Sequence, residues 1–256
     1  MAEERTITTE GIILKKHPVG ENDFIVTLYS PVLGKVQAAA KGARKINGSL
    51  SGHIESLNLC LFQLYKSPAR HTITQCQVKE NFRRIRDDFD RTITAGMIIE
   101  IFHKSTMSSE HAQELFQLLA ESLHKLNNSQ QHFLTVESFK LNLLNRIGVL
   151  PNLEQCASCH NRWQNTDSIW LETNGHLQCH PCKEQHHHGE KTPGTMKQIE
   201  FSIMKLIHYL SRPMKDQTLQ ITLREEQKEQ LRHITGFFLQ HFLDREILSE
   251  KIFQNF

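Results

Sequence analysis

The segment Phe24-Ile25-Val26-Thr27-Leu28-Tyr29 is the clearest indication of the fold of the first third of this chain. Its residues are β-branched, aromatic or leucine, types that pack well on the half-buried surface of a strand. Turn-forming sequences bound it, since Pro18-Val19-Gly20-Glu21-Asn22-Asp23 precedes it and Ser30-Pro31-Val32-Leu33-Gly34 follows it. The stretch therefore predicts a β-strand that lies between two turns.

Four further segments have the same character. They are the apolar parts of residues 7–14, 36–40, 54–65 and 73–78. The sequences Asn47-Gly48-Ser49 and Lys66-Ser67-Pro68 supply further turns. Five short strands within about 75 residues, with no helical pattern between them, favour a small barrel over a sandwich. We expect an OB-type barrel over residues 1–80.

After Asn81 the apolar residues recur at the three- and four-residue spacing of amphipathic helices. Three such helices are predicted before Gly148 and Pro151, which together are typical of a helix stop. Two more are predicted around residues 199–210 and 231–242. We interpret their apolar stripes as the core of a helical bundle and assign them no ligand.

Two cysteine pairs interrupt the helical pattern, Cys156-Ala157-Ser158-Cys159 and Cys179-His180-Pro181-Cys182. The 19 residues between them match the spacing of sites in which four thiolates bind one zinc ion. Four sulfur ligands close the tetrahedral coordination sphere and leave no position for water, so the predicted zinc is structural. Trp163 and residues 169–171 are expected to form a small apolar cluster that the metal organises.

These patterns together predict an α+β protein. An N-terminal five-stranded OB-type barrel is followed by an α-helical domain with an inserted four-cysteine zinc knuckle. The expected limits are 1–80 for the barrel, 81–151 and 192–256 for the two parts of the helical domain, and 152–191 for the knuckle.

Other uses of the cysteine pairs remain open at this point. A redox dithiol would need only one Cys-x-x-Cys pair. A catalytic zinc would need three protein ligands and a water, with a histidine in place of one cysteine. The histidines near the pairs are His160, His176, His180 and the run His186-His187-His188.

The composition favours a globular protein inside the cell. Apolar residues make up 38% of the 256 residues, and no apolar run approaches the roughly 18 residues that a membrane span needs. The first residues show no basic segment followed by an apolar stretch, so we expect a soluble, unsecreted, cytoplasmic protein without disulfides. Cys60 and Cys76 are interpreted as small buried side chains. The net charge of +2 identifies no partner.

Local charge is more informative. Between Asp23 and Glu55 the chain has no acidic residue but carries Lys35, Lys41, Arg44 and Lys45, and Lys15 and Lys16 lie on the preceding strand. Such a surface on a small barrel can follow a phosphate backbone. Phe24 or Tyr29 would offer a stacking face for a base if its ring pointed outward. An ordinary charged surface with both rings in the core, or a barrel that binds protein, is the alternative.

Five motifs follow one another along the barrel segment: Glu10-Gly11-Ile12-Ile13-Leu14-Lys15, Gly20-Glu21-Asn22-Asp23, Leu28-Tyr29-Ser30, Gly34-Lys35 and Ala39-Ala40-Lys41-Gly42-Ala43-Arg44-Lys45. Later, Leu144-Asn145-Arg146-Ile147-Gly148-Val149-Leu150-Pro151 ends a helical segment shortly before the first cysteine pair. In these motifs and in their order the chain resembles the bacterial RecO family of DNA repair proteins, over essentially its whole length.

The resemblance implies a recombination mediator without enzymatic activity. Such a protein binds single- and double-stranded DNA, anneals complementary strands and, with RecR, helps RecA to replace single-strand-binding protein, with RecF as a further functional partner. It implies a place at the nucleoid of the bacterial cytoplasm and no membrane.

Carried over to this chain, the family's basic motif makes Lys35, Lys41, Arg44 and Lys45 candidates for DNA contact, with Lys15 and Lys16 beside them. Arg83, Arg84 and Arg86 are weaker candidates, because Asp87, Asp88 and Asp90 lie close enough to pair with them. The chain departs from the family at Gly52-His53-Ile54, where many members have Pro-Phe. Some members lack the cysteines, which favours a structural role for the metal.

Overall fold

The structure is a computed structural model that describes residues 5–67, 70–106, 111–165, 167–186, 197–214 and 221–243. Backbone contacts divide the chain into two units, Met1–His132 and Phe133–Phe256. Among the described residues no helix is long and apolar enough to cross a membrane.

Five strands form the barrel of the first unit. They are β1 (Thr6–Val19), β2 (Asp23–Ser30), β3 (Gly34–Ala40), β4 (Leu59–Tyr65) and β5 (His71–Glu80). Their order is β1-β2-β3-β5-β4, and β1 pairs antiparallel with both β2 and β4. A short parallel contact between β3 and β5, at Ala38 with His71 and Ala39 with Thr72, closes the ring. The predicted OB-type barrel is confirmed.

The barrel core follows from the two-residue period of its strands. Val26 and Leu28 of β2 point inward together with Phe62 and Leu64 of β4, and all four side chains are completely buried. The segment from Phe24 to Tyr29 thus lies in a central strand, β2, which pairs with β1 on one side and with β3 on the other.

The sequence pattern predicts that the fourth strand begins at residue 54, but strand β4 begins at Leu59. The residues before it form turns, because Leu57 has a φ of +73° and the amide of Asn58 bonds to the Glu55 carbonyl at 3.2 Å. Ile54 is nevertheless buried in the barrel core. The apolar pattern therefore predicted the burial of Ile54 correctly, but its prediction of a strand at residues 54–58 was wrong. Pro68, in the turn predicted after β4, lies outside the described residues.

Helices α1 (Arg83–Arg86), α2 (Phe89–Ser105) and α3 (Ala112–Asn128) complete the first unit. The side chain of Asp88 caps α2 by accepting a hydrogen bond from the Arg91 amide at 3.0 Å. Helix α1 was not predicted, because its single turn contains only one buried residue, Ile85. Helix α2 packs on the barrel through Phe102, whose ring meets that of Tyr29 edge to face at 4.7 Å.

The second unit is helical with a small sheet. Its elements are α4 (His132–Arg146), β6 (Ile169–Leu171), β7 (Leu177–Cys179), α5 (His180–His186), β8 (Lys197–Ile199), α6 (Phe201–Leu210) and α7 (Glu225–Leu243). Helix α4 stops as predicted, since Gly148 has a φ of +76° and the Val149 amide returns to the Leu144 carbonyl.

Polar groups link the helices of this unit in its core. Glu137 and Lys140 of α4 form a buried ion pair at 3.2 Å, and the Thr235 hydroxyl of α7 donates a hydrogen bond to the Glu137 carboxylate. The side chains of Ser138 and Asn142 both donate to the main-chain carbonyl of Leu210 at the end of α6. The bundle is therefore held by specific polar contacts as well as by its apolar stripes.

Candidate functional site

A basic loop, residues 41–50, begins the long connection from β3 to β4 and carries Lys41, Arg44 and Lys45 on its exposed surface. The same loop sends Ala43 and Leu50 into the barrel core. Apolar contacts with the barrel core thus fix the loop, while its cations face the solvent.

Hydrogen bonds tie the basic loop to the turn between β1 and β2. The Asp23 carboxylate accepts from the Gly42 amide at 2.8 Å, and the Arg44 amide donates to the Asn22 carbonyl at 3.0 Å. The Arg44 guanidinium adds a bond of 2.9 Å to the Gly20 carbonyl. Asp23 is the acidic residue that opens the basic stretch, and its role is to orient the loop.

Two glycines allow the loop to turn sharply. Gly42 has a φ of +68°, which favours glycine. A Cβ atom at Gly48 would collide with the main-chain carbonyl oxygen of Gly42. Between them the Lys45 amide donates to the Gly42 carbonyl at 3.1 Å, and the Gly48 amide donates to the Lys45 carbonyl at 3.0 Å. The loop therefore has a defined path.

Lys16 lies beside this loop, on the side where Phe24 is half-buried. Its ammonium nitrogen is 4.9 Å from the centroid of the Phe24 ring, and the guanidinium carbon of Arg44 is 5.9 Å from the same centroid. Lys16 also forms an ion pair of 2.6 Å with Glu55. The Phe24 ring thus lies close to two cations, Lys16 and Arg44, and the charge of Lys16 is neutralised by Glu55.

Lys15 and Lys35 belong to a second group, at the end of helix α2. The Lys35 ammonium donates to the His103 carbonyl at 2.8 Å. Burial first, and then the charges of Lys35, Lys15, Lys104 and His17, lower the pKa of the His103 imidazole. Lys15 and Lys35 are therefore both near His103. Lys16 lies near Phe24 instead, because Lys15 and Lys16 are neighbours on β1 and their side chains point to opposite faces.

The six predicted DNA contacts accordingly fall into two groups, Lys16, Lys41, Arg44 and Lys45 around the basic loop, and Lys15 with Lys35 at α2. Within the first group, Lys41 and Lys45 have exposed side chains for which no ion pair is found among the described residues. Their contact with DNA stays a prediction.

Tyr29 does not meet the condition for stacking on a base, because its side chain is completely buried. Its ring packs against Phe102, and burial raises the pKa of its hydroxyl to about 12. Phe24 is only half-buried, but it packs partly against the barrel core.

Two of the arginines after β5, Arg83 and Arg86, have local partners. Arg83 pairs with Asp87 at 3.3 Å, both side chains being exposed. Arg86 donates to the carbonyls of Asn81 and Ser56, and to the side chain of Asn58, over 2.7 to 2.9 Å. Arg86 thus supports the end of the β3–β4 connection.

The four predicted metal ligands come together. The Sγ atoms of Cys156, Cys159, Cys179 and Cys182 all lie within 4.8 Å of one another, and those of Cys159 and Cys179 are 3.7 Å apart. A tetrahedral ion with four sulfur ligands at about 2.3 Å requires sulfur atoms about 3.8 Å apart. The donor set therefore fits one metal ion. No histidine joins this group among the described residues.

Cys156 is the most protected ligand and is completely buried. The amides of Ser158 and Cys179 each point at its sulfur, at 3.4 Å. Burial raises the pKa of the Cys156 thiol, but the main-chain donors of Cys159, Cys179 and Ser158 outweigh it and lower the pKa to about 7. Backbone donors around sulfur thus favour the thiolate that a metal binds.

A three-stranded sheet of order β7-β6-β8 supports the cluster. A turn at Thr173-Asn174-Gly175 connects β6 and β7, with Gly175 at a φ of +84°. Ile169 and Leu171 are buried, Trp163 donates its indole proton to the Leu153 carbonyl at 3.0 Å, and the Lys183 ammonium lies over the Trp170 ring. The packing of Trp163 against residues 169–171 stays a prediction.

The sequence patterns missed two parts of this module. Helix α5, which carries Cys182, and strand β8 had not been predicted. The Pro181 at its second position is the available signal for α5, because proline favours the first turn of a helix. Of the histidine run, His187 and His188 lie outside the described residues.

Cys60 and Cys76 are separate from the metal ligands. Cys60 is completely buried in the barrel and Cys76 is half-buried on the adjacent strand. The hydrogen bond between the two thiols, followed by burial, raises the pKa of Cys60, and the same bond lowers the pKa of Cys76. The prediction of burial is confirmed for Cys60.

One exposed apolar residue was not singled out in the sequence. Ile46, at the tip of the basic loop, has 95% of its side-chain surface exposed. The available signal was its position, since it interrupts the polar turn sequence Arg44-Lys45-Ile46-Asn47-Gly48.

Comparisons with known proteins cover both units. Two family models match, "Recombination protein O N terminal" over residues 1–82 and "Recombination protein O C terminal" over residues 86–251. A DNA repair protein RecO from Dehalococcoides mccartyi is 33% identical over 183 residues, 72% of each chain. One from Alkaliphilus metalliredigens is 27% identical over 242 residues, which is 93% of this chain and 94% of the relative.

Proposed function

This chain belongs to the RecO family of DNA repair and recombination proteins, and from that premise we propose that it is a recombination mediator. It binds single- and double-stranded DNA and anneals complementary strands. With RecR it assists RecA in replacing single-strand-binding protein, and RecF acts with them. It performs these tasks at the nucleoid in the cytoplasm and catalyses no covalent reaction.

The observation that carries this proposal is the basic loop. Lys41, Arg44 and Lys45 are exposed on a segment whose path is set by Asp23 and by two glycines. A preordered array of cations binds phosphates without the entropic cost of ordering the loop on binding.

Annealing places a particular demand on such a surface. The protein must neutralise two backbones so that the strands approach, and it must leave the base edges free to pair. Lysine and arginine contacts to phosphate meet this demand because they carry no sequence information. The six basic candidates are therefore proposed as backbone contacts, with Lys41, Arg44 and Lys45 making the largest contribution.

We assign zinc to the four-cysteine cluster and a structural role to the ion. Sulfur-only ligands favour zinc, and four of them leave no coordination site for a substrate. The sheet β7-β6-β8 is formed by strands of three residues each, which is too small to be stable without support. The ion would hold the knuckle predicted over residues 152–191, and with it strand β8 (Lys197–Ile199), which pairs with β6.

Binding of single-stranded DNA tests the function. The variant Lys41→Glu/Arg44→Glu/Lys45→Glu is expected to lower affinity for an unstructured oligonucleotide by about ten-fold or more and to reduce the salt slope of log K by about two. The control is Lys79→Glu/Arg162→Glu/Lys205→Glu, which changes the net charge equally at exposed sites outside the loop. If both variants lost DNA affinity equally, net charge alone would explain the loss. If the loop variant kept the affinity of wild type, the loop would not be part of the DNA site.

A strand-annealing assay with complementary oligonucleotides coated with single-strand-binding protein tests the mediator role. The wild-type protein is expected to accelerate annealing, and the loop variant is expected to lose most of that acceleration. A protein that binds the coating protein but never accelerates annealing would instead be a scaffold.

A zinc enzyme is the alternative from another class, and X-ray absorption separates it from the proposal. Four sulfur ligands at about 2.3 Å are expected. A mixed nitrogen and sulfur shell with an exchangeable water would contradict the structural role.

A further inference from the structure

Ile46 is the most exposed large apolar side chain of the described residues, with an exposed fraction of 95%. The apolar residues of the loop behave differently, since Ala43 and Leu50 are both buried in the barrel core. Folding of the barrel therefore does not explain an isoleucine at this position. A single exposed apolar residue is common on protein surfaces, so it is the geometry and the charges of the loop that indicate a partner.

The loop presents Ile46 on a firm support. The residue lies inside the turn closed by the hydrogen bond from the Gly48 amide to the Lys45 carbonyl at 3.0 Å. The preceding turn is closed by the Lys45 amide and the Gly42 carbonyl, and the Asp23 carboxylate holds the Gly42 amide. A side chain at the tip of two successive turns has little freedom to fold back.

The charges around Ile46 indicate what the partner is. Arg44 and Lys45 precede it directly and Lys41 lies in the same loop, all three exposed. The loop itself contains no acidic residue. Of the acidic residues near it, Asp23 is engaged with the loop backbone, Glu55 is paired with Lys16, and Glu21 is exposed in the turn between β1 and β2. An apolar tip with three cations in the same loop matches a polyanion with apolar faces inside, which describes a strand of stacked bases.

We propose that Ile46 inserts between two adjacent bases of a bound DNA strand while Lys41, Arg44 and Lys45 hold the phosphates on either side. The inference rests on the proposed function and adds a base-contacting residue to it. Apolar side chains such as isoleucine unstack base steps when flanking cations hold the backbone. Insertion breaks the continuous stack of a single strand, which exposes base edges to a complementary strand.

The test uses an oligonucleotide with 2-aminopurine between adenines at its centre, because stacking quenches the fluorescence of this base. Saturation with the wild-type protein is expected to raise the fluorescence. Ile46→Ser is expected to lose roughly half of that rise or more, with an unchanged salt slope, while Ile46→Leu retains it. Val32→Ser is the matched control, since Val32 is also an exposed apolar residue in a turn, between β2 and β3.

The outcomes separate the inference from the function. An equal fluorescence rise with wild type and Ile46→Ser, both at saturation, would overturn the insertion and leave DNA binding intact. A loss of the same size in Val32→Ser would also overturn it, because the effect would not be specific to the loop tip. Absence of any salt-dependent binding by the wild-type protein would overturn the proposed function, and the insertion with it.

Discussion

The ammonium group of Lys35 donates a hydrogen bond to the main-chain carbonyl of His103 over 2.8 Å, which ties strand β3 of the barrel to the last turn of helix α2. A cation at this place satisfies a carbonyl that the helix leaves unpaired and interacts favourably with the helix dipole. One of the six basic residues proposed to contact DNA is therefore engaged within the protein.

Lys35→Met should accordingly affect stability more than DNA binding. The variant keeps the aliphatic stem and removes the charged donor, so the free energy of unfolding is expected to fall by about 1 kcal/mol. Urea denaturation measures this loss. Lys41→Met is the control, expected to lower DNA affinity without changing stability. A Lys35→Met protein of unchanged stability and strongly reduced affinity would make DNA contact, rather than support of helix α2, the main role of Lys35.

Stability should fall in mild acid because of His103. Burial and then the surrounding cations lower the pKa of this histidine in the folded state, and its Nδ1 atom is buried without a hydrogen-bond partner among the described residues. The unfolded chain therefore binds the proton more readily. Protonation of His103 therefore does not reduce the free energy of unfolding above the ordinary pKa of 6.5. Below pH 6.5 the free energy of unfolding falls progressively, because the unfolded chain takes up the proton first.

Urea denaturation from pH 7.5 to 5 checks this dependence in wild type and His103→Gln. The substitution should make the curve flatter below about pH 6.5. His132 also has a lowered pKa, caused by burial and then Arg91, so part of the slope should remain. His111→Gln, at an exposed position, serves as control, and an identical slope in all three proteins would contradict the assignment to His103.

Removal of the metal should unfold the knuckle and leave DNA binding to the barrel. Cys156→Ser is expected to abolish metal binding, because it removes the buried ligand. Both tryptophans of the chain, Trp163 and Trp170, lie in this module, so intrinsic fluorescence reports on its folding. Affinity for single-stranded DNA is expected to stay within about two-fold of wild type.

Metal analysis of the purified protein accompanies these measurements. Cys76→Ser is the matched control, because Cys76 lies in the barrel outside the cluster, and its metal content should equal that of wild type. A Cys156→Ser protein with unchanged metal content and unchanged tryptophan fluorescence would show that the cluster does not bind the ion.

Gly48→Ala tests whether the path of the basic loop matters for binding. The added methyl group would collide with the Gly42 carbonyl, so the backbone of the loop has to shift. DNA affinity is expected to fall by a few-fold with no change in net charge, about 1 kcal/mol of binding free energy. Gly96→Ala in helix α2 is the control, since a Cβ there meets no atom within 4 Å. Equal affinity of the two variants would mean that the cations act without a defined arrangement.

Local patterns predicted those features that depend on short-range order. The alternation and turn residues around Phe24-Ile25-Val26-Thr27-Leu28-Tyr29 predicted the strands, and the periodicity after Asn81 predicted the main helices. The pattern failed at residues 54–58, because Ile54 is buried from an irregular segment between two turns rather than from a strand. Burial shows in the sequence as an apolar residue, whereas the conformation that achieves it depends on contacts elsewhere.

Local sequence patterns were sufficient to predict the barrel, the main helices and the grouping of the four cysteines, since two Cys-x-x-Cys pairs at this spacing are typical of four sulfur ligands for one ion. What the basic and aromatic residues contact became clear from the tertiary structure alone. Lys35 and Tyr29 are engaged by His103 and Phe102, and Ile46 is left exposed among cations. The physical reason is that a side chain's availability depends on partners that lie far away in the sequence, 68 residues for Lys35 and His103, and no local pattern encodes such partners.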